Sequence, residues 1–148
     1  MMMERLGRWK VLGIAGVGVA LLVGGCRTTP VSAETPGVVI RHADGSTEIT
    51  REVVFAQSRL TRWLRVRELR RQNTGHGLLA PGITVQSTYG GTLRFEYRFC
   101  WFDAAGREVA ADTDSWKPVT LRRGESKALD SVAPTPEVTA FQLILRVP

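Results

Sequence analysis

The chain is predicted to be all-β: an antiparallel, immunoglobulin-like β-sandwich of about seven strands, carried behind an apolar leader. Three observations predict it. Leu93, Phe95, Tyr97, Phe99 and Trp101 alternate with Arg94, Glu96, Arg98 and Cys100, the period-two pattern of a half-buried strand. Phe141, Leu143, Leu145 and Val147 repeat that pattern near the end of the chain. Between them, short β-prone runs are separated by Gly-, Pro- and Asp-containing turn signals. No internal repeat is visible, and the 148 residues suit one domain with one core.

Residues 1–25 form the leader. Arg5, Arg8 and Lys10 precede an uncharged run from Val11 to Gly25. That run of 15 residues falls short of the roughly 20 that a membrane-spanning helix needs, and suits a signal-peptide core. Leu22-Val23-Gly24-Gly25-Cys26 resembles the lipobox of bacterial lipoproteins, an aliphatic residue and two small ones before a cysteine. Small residues let the signal peptidase approach the backbone. The resemblance implies cleavage before Cys26, diacylglycerol on its thiol and acylation of the new amino group. A plain secretory signal ending near a cysteine is the alternative. Each buried methylene contributes about 0.8 kcal/mol, so several acyl chains hold a protein on a bilayer essentially permanently. Arg27 stands where an inner-membrane retention signal carries Asp. The expected location is therefore the inner leaflet of the outer membrane, facing the periplasm.

Residues 26–37 read as a lipidated tether, rich in Thr, Pro, Ser and Ala. The sandwich domain is expected over 38–148. Val38 to His42 is a short apolar run, Ala43 to Ser46 a turn, and Thr47 to Thr50 a β-prone return. Ser58 to Arg71 fits either a helix or a strand; a strand from Trp63 to Glu68 is expected because everything downstream is β. Gln72 to Gly77 reads as a loop. Leu78 to Ser87 reads as a strand that Pro81-Gly82 would bend or bulge. The long strand from Leu93 to Trp101 follows. Asp103 to Gly106 then turns the chain, with Gly106 free to take positive φ, into a return from Arg107 to Val109. Ser115 to Leu121 is a strand whose Pro118 belongs at an edge. Arg122 to Glu125 turns, Ser126 to Ala133 is another strand, and Ala140 to Val147 closes the fold.

Tyr97-Arg98-Phe99-Cys100-Trp101-Phe102-Asp103-Ala104-Ala105-Gly106-Arg107-Glu108-Val109 resembles the YRFxWxDxxGxEV core of the YcfL-like lipoproteins. Trp116 to Leu121, Gly124-Glu125 and Ala133-Pro134 continue that pattern, so the resemblance spans about Leu78 to Arg146. It implies a sandwich and an outer-membrane compartment, with no assigned activity. Members of that family neighbour lipoprotein activators of peptidoglycan synthases, which implies a link to peptidoglycan synthesis.

Composition narrows the chemistry. Net charge is +6, of which Arg5, Arg8, Lys10 and Glu4 in the leader carry +2, leaving +4. Mild basicity of this size does not point to nucleic acid. His42 and His76 lie in expected turns with no Cys or carboxylate at metal-ligand spacing, and neither a metal nor another cofactor is expected. Asp112-Thr113-Asp114 lacks the Gly and terminal Glu of a calcium loop. No GxSxG elbow or Ser-x-x-Lys motif occurs. With Cys26 lipidated, Cys100 has no disulfide partner within the chain.

Two functions compete. The first is a non-enzymatic, periplasm-facing lipoprotein, a module that binds an envelope protein or the cell wall. Its candidate surface is Trp63, Arg65 and Arg67, which share strand parity opposite Leu64 and Val66. Those two arginines belong to a run, Arg59, Arg62, Arg65, Arg67, Arg70 and Arg71, for which a charged edge strand that resists pairing with other chains also accounts. The second is a redox-active or enzymatic envelope protein using Cys100, whose cationic neighbours would favour a thiolate. The lack of a base near any nucleophile favours the first.

Overall fold

The computed structural model describes residues 37–42, 44–111 and 115–148. The leader, Cys26, all of the expected tether except Gly37, and Asp112 to Asp114 lie outside the described residues. The described chain is almost entirely strand: β1 (Val38–Arg41), β2 (Thr47–Thr50), β3 (Val53–Phe55), a single helical turn α1 (Leu60–Trp63), β4 (Leu64–Asn73), β5 (Leu79–Ser87), β6 (Leu93–Asp103), β7 (Glu108–Val109), β8 (Lys117–Leu121), β9 (Ser126–Asp130) and β10 (Val138–Arg146).

Three sheets form. β1 and β2 make an antiparallel hairpin. The largest sheet runs β3-β10-β6, with β7 and β8 on the far side of β6. The third runs β4-β5-β9. The two larger sheets share one core. Phe95, Phe99, Trp101, Phe141, Leu143 and Leu145 meet Leu64, Val66, Leu69, Ile83, Val85 and Leu129 in it. The alternation of β6 therefore faces inward as expected, and the architecture is a β-sandwich.

The Asp103 turn also forms as expected. Gly106 takes φ 75°, a conformation open to glycine at no steric cost. The Asp103 carboxylate accepts the N–H groups of Ala105 and Arg107, each at 2.9 Å. Those bonds, with that of the Arg107 guanidinium, hold its pKa below the usual carboxylate range.

Several sequence expectations need correction. The strand expected from Trp63 to Glu68 begins one residue later and runs to Asn73. Trp63 instead ends α1, whose backbone turns through Leu60 N–H to Gln57 C=O and Arg62 N–H to Arg59 C=O. A bulge does occur, but on β4 at Arg67, between Val66 and Glu68. β5 runs through Pro81-Gly82 in unbroken register. The ends of the Arg70 and Asp130 side chains, an ion pair, cross over Gly82 where a Cβ would stand. β3 was not anticipated. It pairs in parallel with β10, the one parallel ladder among the described strands. Val132, read as strand, lies beyond β9 and is 50% exposed.

The polar side of β6 is only partly solvated. Glu96 pairs with Arg146 on β10 at 2.9 Å through both Nε and a terminal nitrogen. The Arg146 and Arg98 guanidinium carbons lie 3.8 and 5.1 Å from the Trp116 ring centre. Such contacts contribute about 0.5–2 kcal/mol each. Farther along the same side Cys100 and Phe102 are buried, with Glu108 to Ala111 folding back beside Cys100.

Candidate functional site

The chemistry expected of Cys100 meets an obstacle in its setting. The residue is 2% exposed, and its strand partner is the buried Gln142. A nucleophile needs a path for its substrate, and this burial leaves none at the thiol. His42 lies 3.5 Å from Glu48 on the β1–β2 hairpin, and His76 sits in the β4–β5 turn, exposed. Among the described residues no group of three His, Cys, Asp or Glu side chains could hold a metal ion.

The arginine-rich strand is more informative. On β4, Leu64 and Val66 are buried and Arg65 and Arg67 are exposed, as the alternation requires. The bulge at Arg67 then places Arg67 and Glu68 in succession on the outside before Leu69 returns to the core. Bulges re-aim side chains in this way and are common beside binding sites.

Trp63 does not share this outward face. It is half-buried and packed on the core. Its ring lies 4.9 Å from that of Tyr89, and the Arg59 guanidinium lies 5.7 Å from it. Thr88 fastens the segment by donating its N–H to Trp63 C=O and its hydroxyl to Arg62 C=O, both at 2.8 Å. Helical geometry at Leu60–Trp63 changes the direction of its side chain, so strand parity counted back from Arg65 fails at this residue.

Arg65 donates to Thr61 C=O at 2.6 Å. Arg67 donates from two nitrogens to the Gln86 amide oxygen at 2.8 and 2.5 Å. These bonds hold both guanidinium groups in place without neutralising them. Arg70 and Arg71 differ. Arg70 pairs with Asp130 at 3.1 Å, and Arg71 with Glu48 and Glu52 at 2.8 and 2.6 Å. The Glu52 bond raises the Arg71 pKa, and the Arg71 bond lowers that of Glu48. The arginine run is thus divided: its later members are ion-paired, while Arg65 and Arg67 keep their charge available.

Arg65 and Arg67 open onto a cleft of about 530 Å³, shared with Arg41 and Val39 of β1 and with Phe55. Clefts of roughly 300–1,000 Å³ are typical of ligand sites. Sequence reading found the two arginines. It missed Arg41 and the β1 wall, which come from a distant part of the chain.

The family model for a protein of unknown function, DUF1425, matches residues 51–147. A crystal structure of a DUF1425 family member from Shewanella is 24% identical, covering 57% of this chain and 78% of that one, with a TM-score of 0.52. The crystal structure of Campylobacter jejuni cj0090 is 18% identical, covering 66% of this chain and 98% of that one, with a TM-score of 0.57. At these identities the likeness bears on the fold alone. No curated protein matches the chain.

Proposed function

The chain belongs to the DUF1425 family, and from that premise we propose that it is a YcfL-like lipoprotein, anchored through Cys26 in the outer membrane and facing the periplasm. On this reading it is a non-enzymatic module that binds an anionic envelope partner, a protein or the cell wall, through Arg65 and Arg67. A link to peptidoglycan synthesis fits the same position. The observation that carries the binding role is the pair of exposed guanidinium groups, positioned by Thr61 and Gln86 but matched to no carboxylate in the described salt bridges. Arginine fixed in this way loses little freedom on binding and presents a rigid fork to carboxylate or phosphate. The leader, with its lipobox before Cys26, supports the location.

The test is co-sedimentation with purified cell wall, together with pull-down from envelope extract, for wild type and Arg65→Glu/Arg67→Glu. The double variant should recover less of the partner and lose salt sensitivity, with its melting curve nearly unchanged, since exposed charges contribute little to stability. Equal recovery by both proteins would reduce the arginines to protection of a sheet edge.

A further inference from the structure

We propose that the outer face of the β1–β2 hairpin, Val39 and Ile49 with Arg41 beside them, seats the domain on the anionic phospholipid surface of the membrane that holds its anchor. The inference rests on the anchoring through Cys26 proposed above and goes beyond the role given to Arg65 and Arg67.

The hairpin has two faces, and the core uses only one. Ile40 and Thr50 turn inward and are buried. Val39 and Ile49 are partners across the ladder, so their side chains share the opposite face. They are 49% and 70% exposed. Aliphatic residues exposed singly are ordinary, but these two stand side by side. Of the other large apolar residues exposed among the described ones, Tyr89 packs against the Trp63 ring and Val132 lies alone beyond β9.

Positive charge borders the pair. Arg41 is two residues beyond Val39 and shares its face. It is exposed and has no carboxylate partner among the described residues. The carboxylates of the hairpin are engaged elsewhere, Asp44 by Ser46 and Glu48 by Arg71. Val39 and Arg41 also line the cleft with Arg65 and Arg67, so the arginine pair stands at the margin of the contact. Aliphatic side chains bordered by arginine suit the boundary of a bilayer. The apolar tips enter the acyl layer while the guanidinium groups stay with the lipid phosphates.

The place of the hairpin in the chain selects the occupant. Gly37 leads into β1 against Ile49, where a Cβ would run into the Ile49 side chain. Cys26 and Gly37 are eleven residues apart, a reach of at most about 40 Å. A linker this short holds the face against the bilayer at an effective concentration of about millimolar. A contact too weak to recruit a free protein then suffices to orient an anchored one. A second copy is a poorer occupant. Two aliphatic side chains fall far short of the roughly 20–30 residues a side of a stable interface. Pairing of like faces would also bring Arg41 toward Arg41.

The test uses the full acylated chain in vesicles of phosphatidylethanolamine and phosphatidylglycerol. A fluorophore is placed on Thr47→Cys, whose position lies on the same face opposite Arg41. Cys26 is blocked by its lipid and Cys100 is buried. Quenching by lipid with a nitroxide headgroup reads the contact. The reference is Val132→Cys, next to Ala133, which bonds Leu79 C=O at the opposite end of β5 from the cleft residue Thr88. The Thr47 probe should be quenched strongly and the Val132 probe weakly. Val39→Thr/Ile49→Thr keeps the branching at Cβ that suits a strand but removes the apolar tips. It should lower the ratio of docked to free domain about tenfold, and Arg41→Glu should lower it as well. A domain that merely swings on its tether would keep wild-type quenching in both variants. That result would overturn the docking and leave the role of Arg65 and Arg67 to its own test. Equal quenching at the two probe positions would overturn it too. Mutual quenching of Thr47 labels between copies, without quenching by nitroxide lipid, would give the face to a second copy and overturn the proposal. A chain recovered without acyl groups would overturn the anchoring and the docking together.

Discussion

Phe99→Ala tests the packing on which the sandwich depends. Phe99 is 2% exposed. Its ring stacks on Trp101 at 5.5 Å, meets Tyr97 edge-on at 6.2 Å and lies 6.1 Å from Phe141. Truncation removes all three contacts and leaves a cavity between the sheets, at a cost of about 3–5 kcal/mol. A domain of roughly 110 residues has an unfolding entropy near 0.23 kcal/mol/K at its midpoint, so the melting temperature should fall by about 13–22 °C. Total stability is about 5–15 kcal/mol, and the variant could lose a large part of it. Far-UV circular dichroism on heating reads the change. Arg94→Ala, on the same strand but exposed, serves as the control and should stay within about 0.5 kcal/mol of wild type. An unchanged curve for Phe99→Ala, or an equal drop for Arg94→Ala, would refute the inward assignment of β6.

Cys26→Ser should leave an unprocessed precursor on a gel; a mature-sized protein without lipid would refute the lipobox assignment. Cys100 should react with iodoacetamide only when the domain is unfolded, because it is 2% exposed in the fold; rapid labelling of the native protein would contradict its burial. Asp103 and Glu48 have carboxyl pKa values held below 3.8 and 4.5. Their contribution to stability is complete above those ordinary values and is lost as pH falls through the lowered ones. Thermal melts from pH 5 downward should therefore show loss beginning below about pH 4, less steep in Asp103→Asn; an equal slope in that variant would exclude the Asp103 turn as a source.

The core strands were legible because β6 and β10 keep strict alternation over many residues, and a slip by one would expose every aromatic ring. Trp63 was misplaced because one helical turn and the first residues of a strand offer the same apolar spacing. The bulge at Arg67 did leave a mark. Val66 and Leu69 are both buried, three residues apart where an even strand allows two or four. β3 left almost none, being three residues long and paired with a strand far away in sequence. Cys100 has the parity of an outward residue. Its burial depends on Glu108 to Ala111 returning over that side, a tertiary event that alternation along β6 does not encode. Arg41 joined the cleft for the same reason: its place beside β4 comes from the packing of a separate hairpin.

The position of β10 has a consequence for the order of assembly. It is the last strand of the fold, yet it lies between β3 and β6 and contributes Phe141, Leu143 and Leu145 to the core. Until its residues arrive, β3 and β6 have no ladder joining them, and the aromatic row of β6 has only part of its cover. Pairings this distant in sequence carry a loop-closure cost before they return any stability, which slows folding. If the chain is exported as proposed above, this delay keeps the polypeptide threadable, because the sandwich cannot close until its C-terminal strand has crossed.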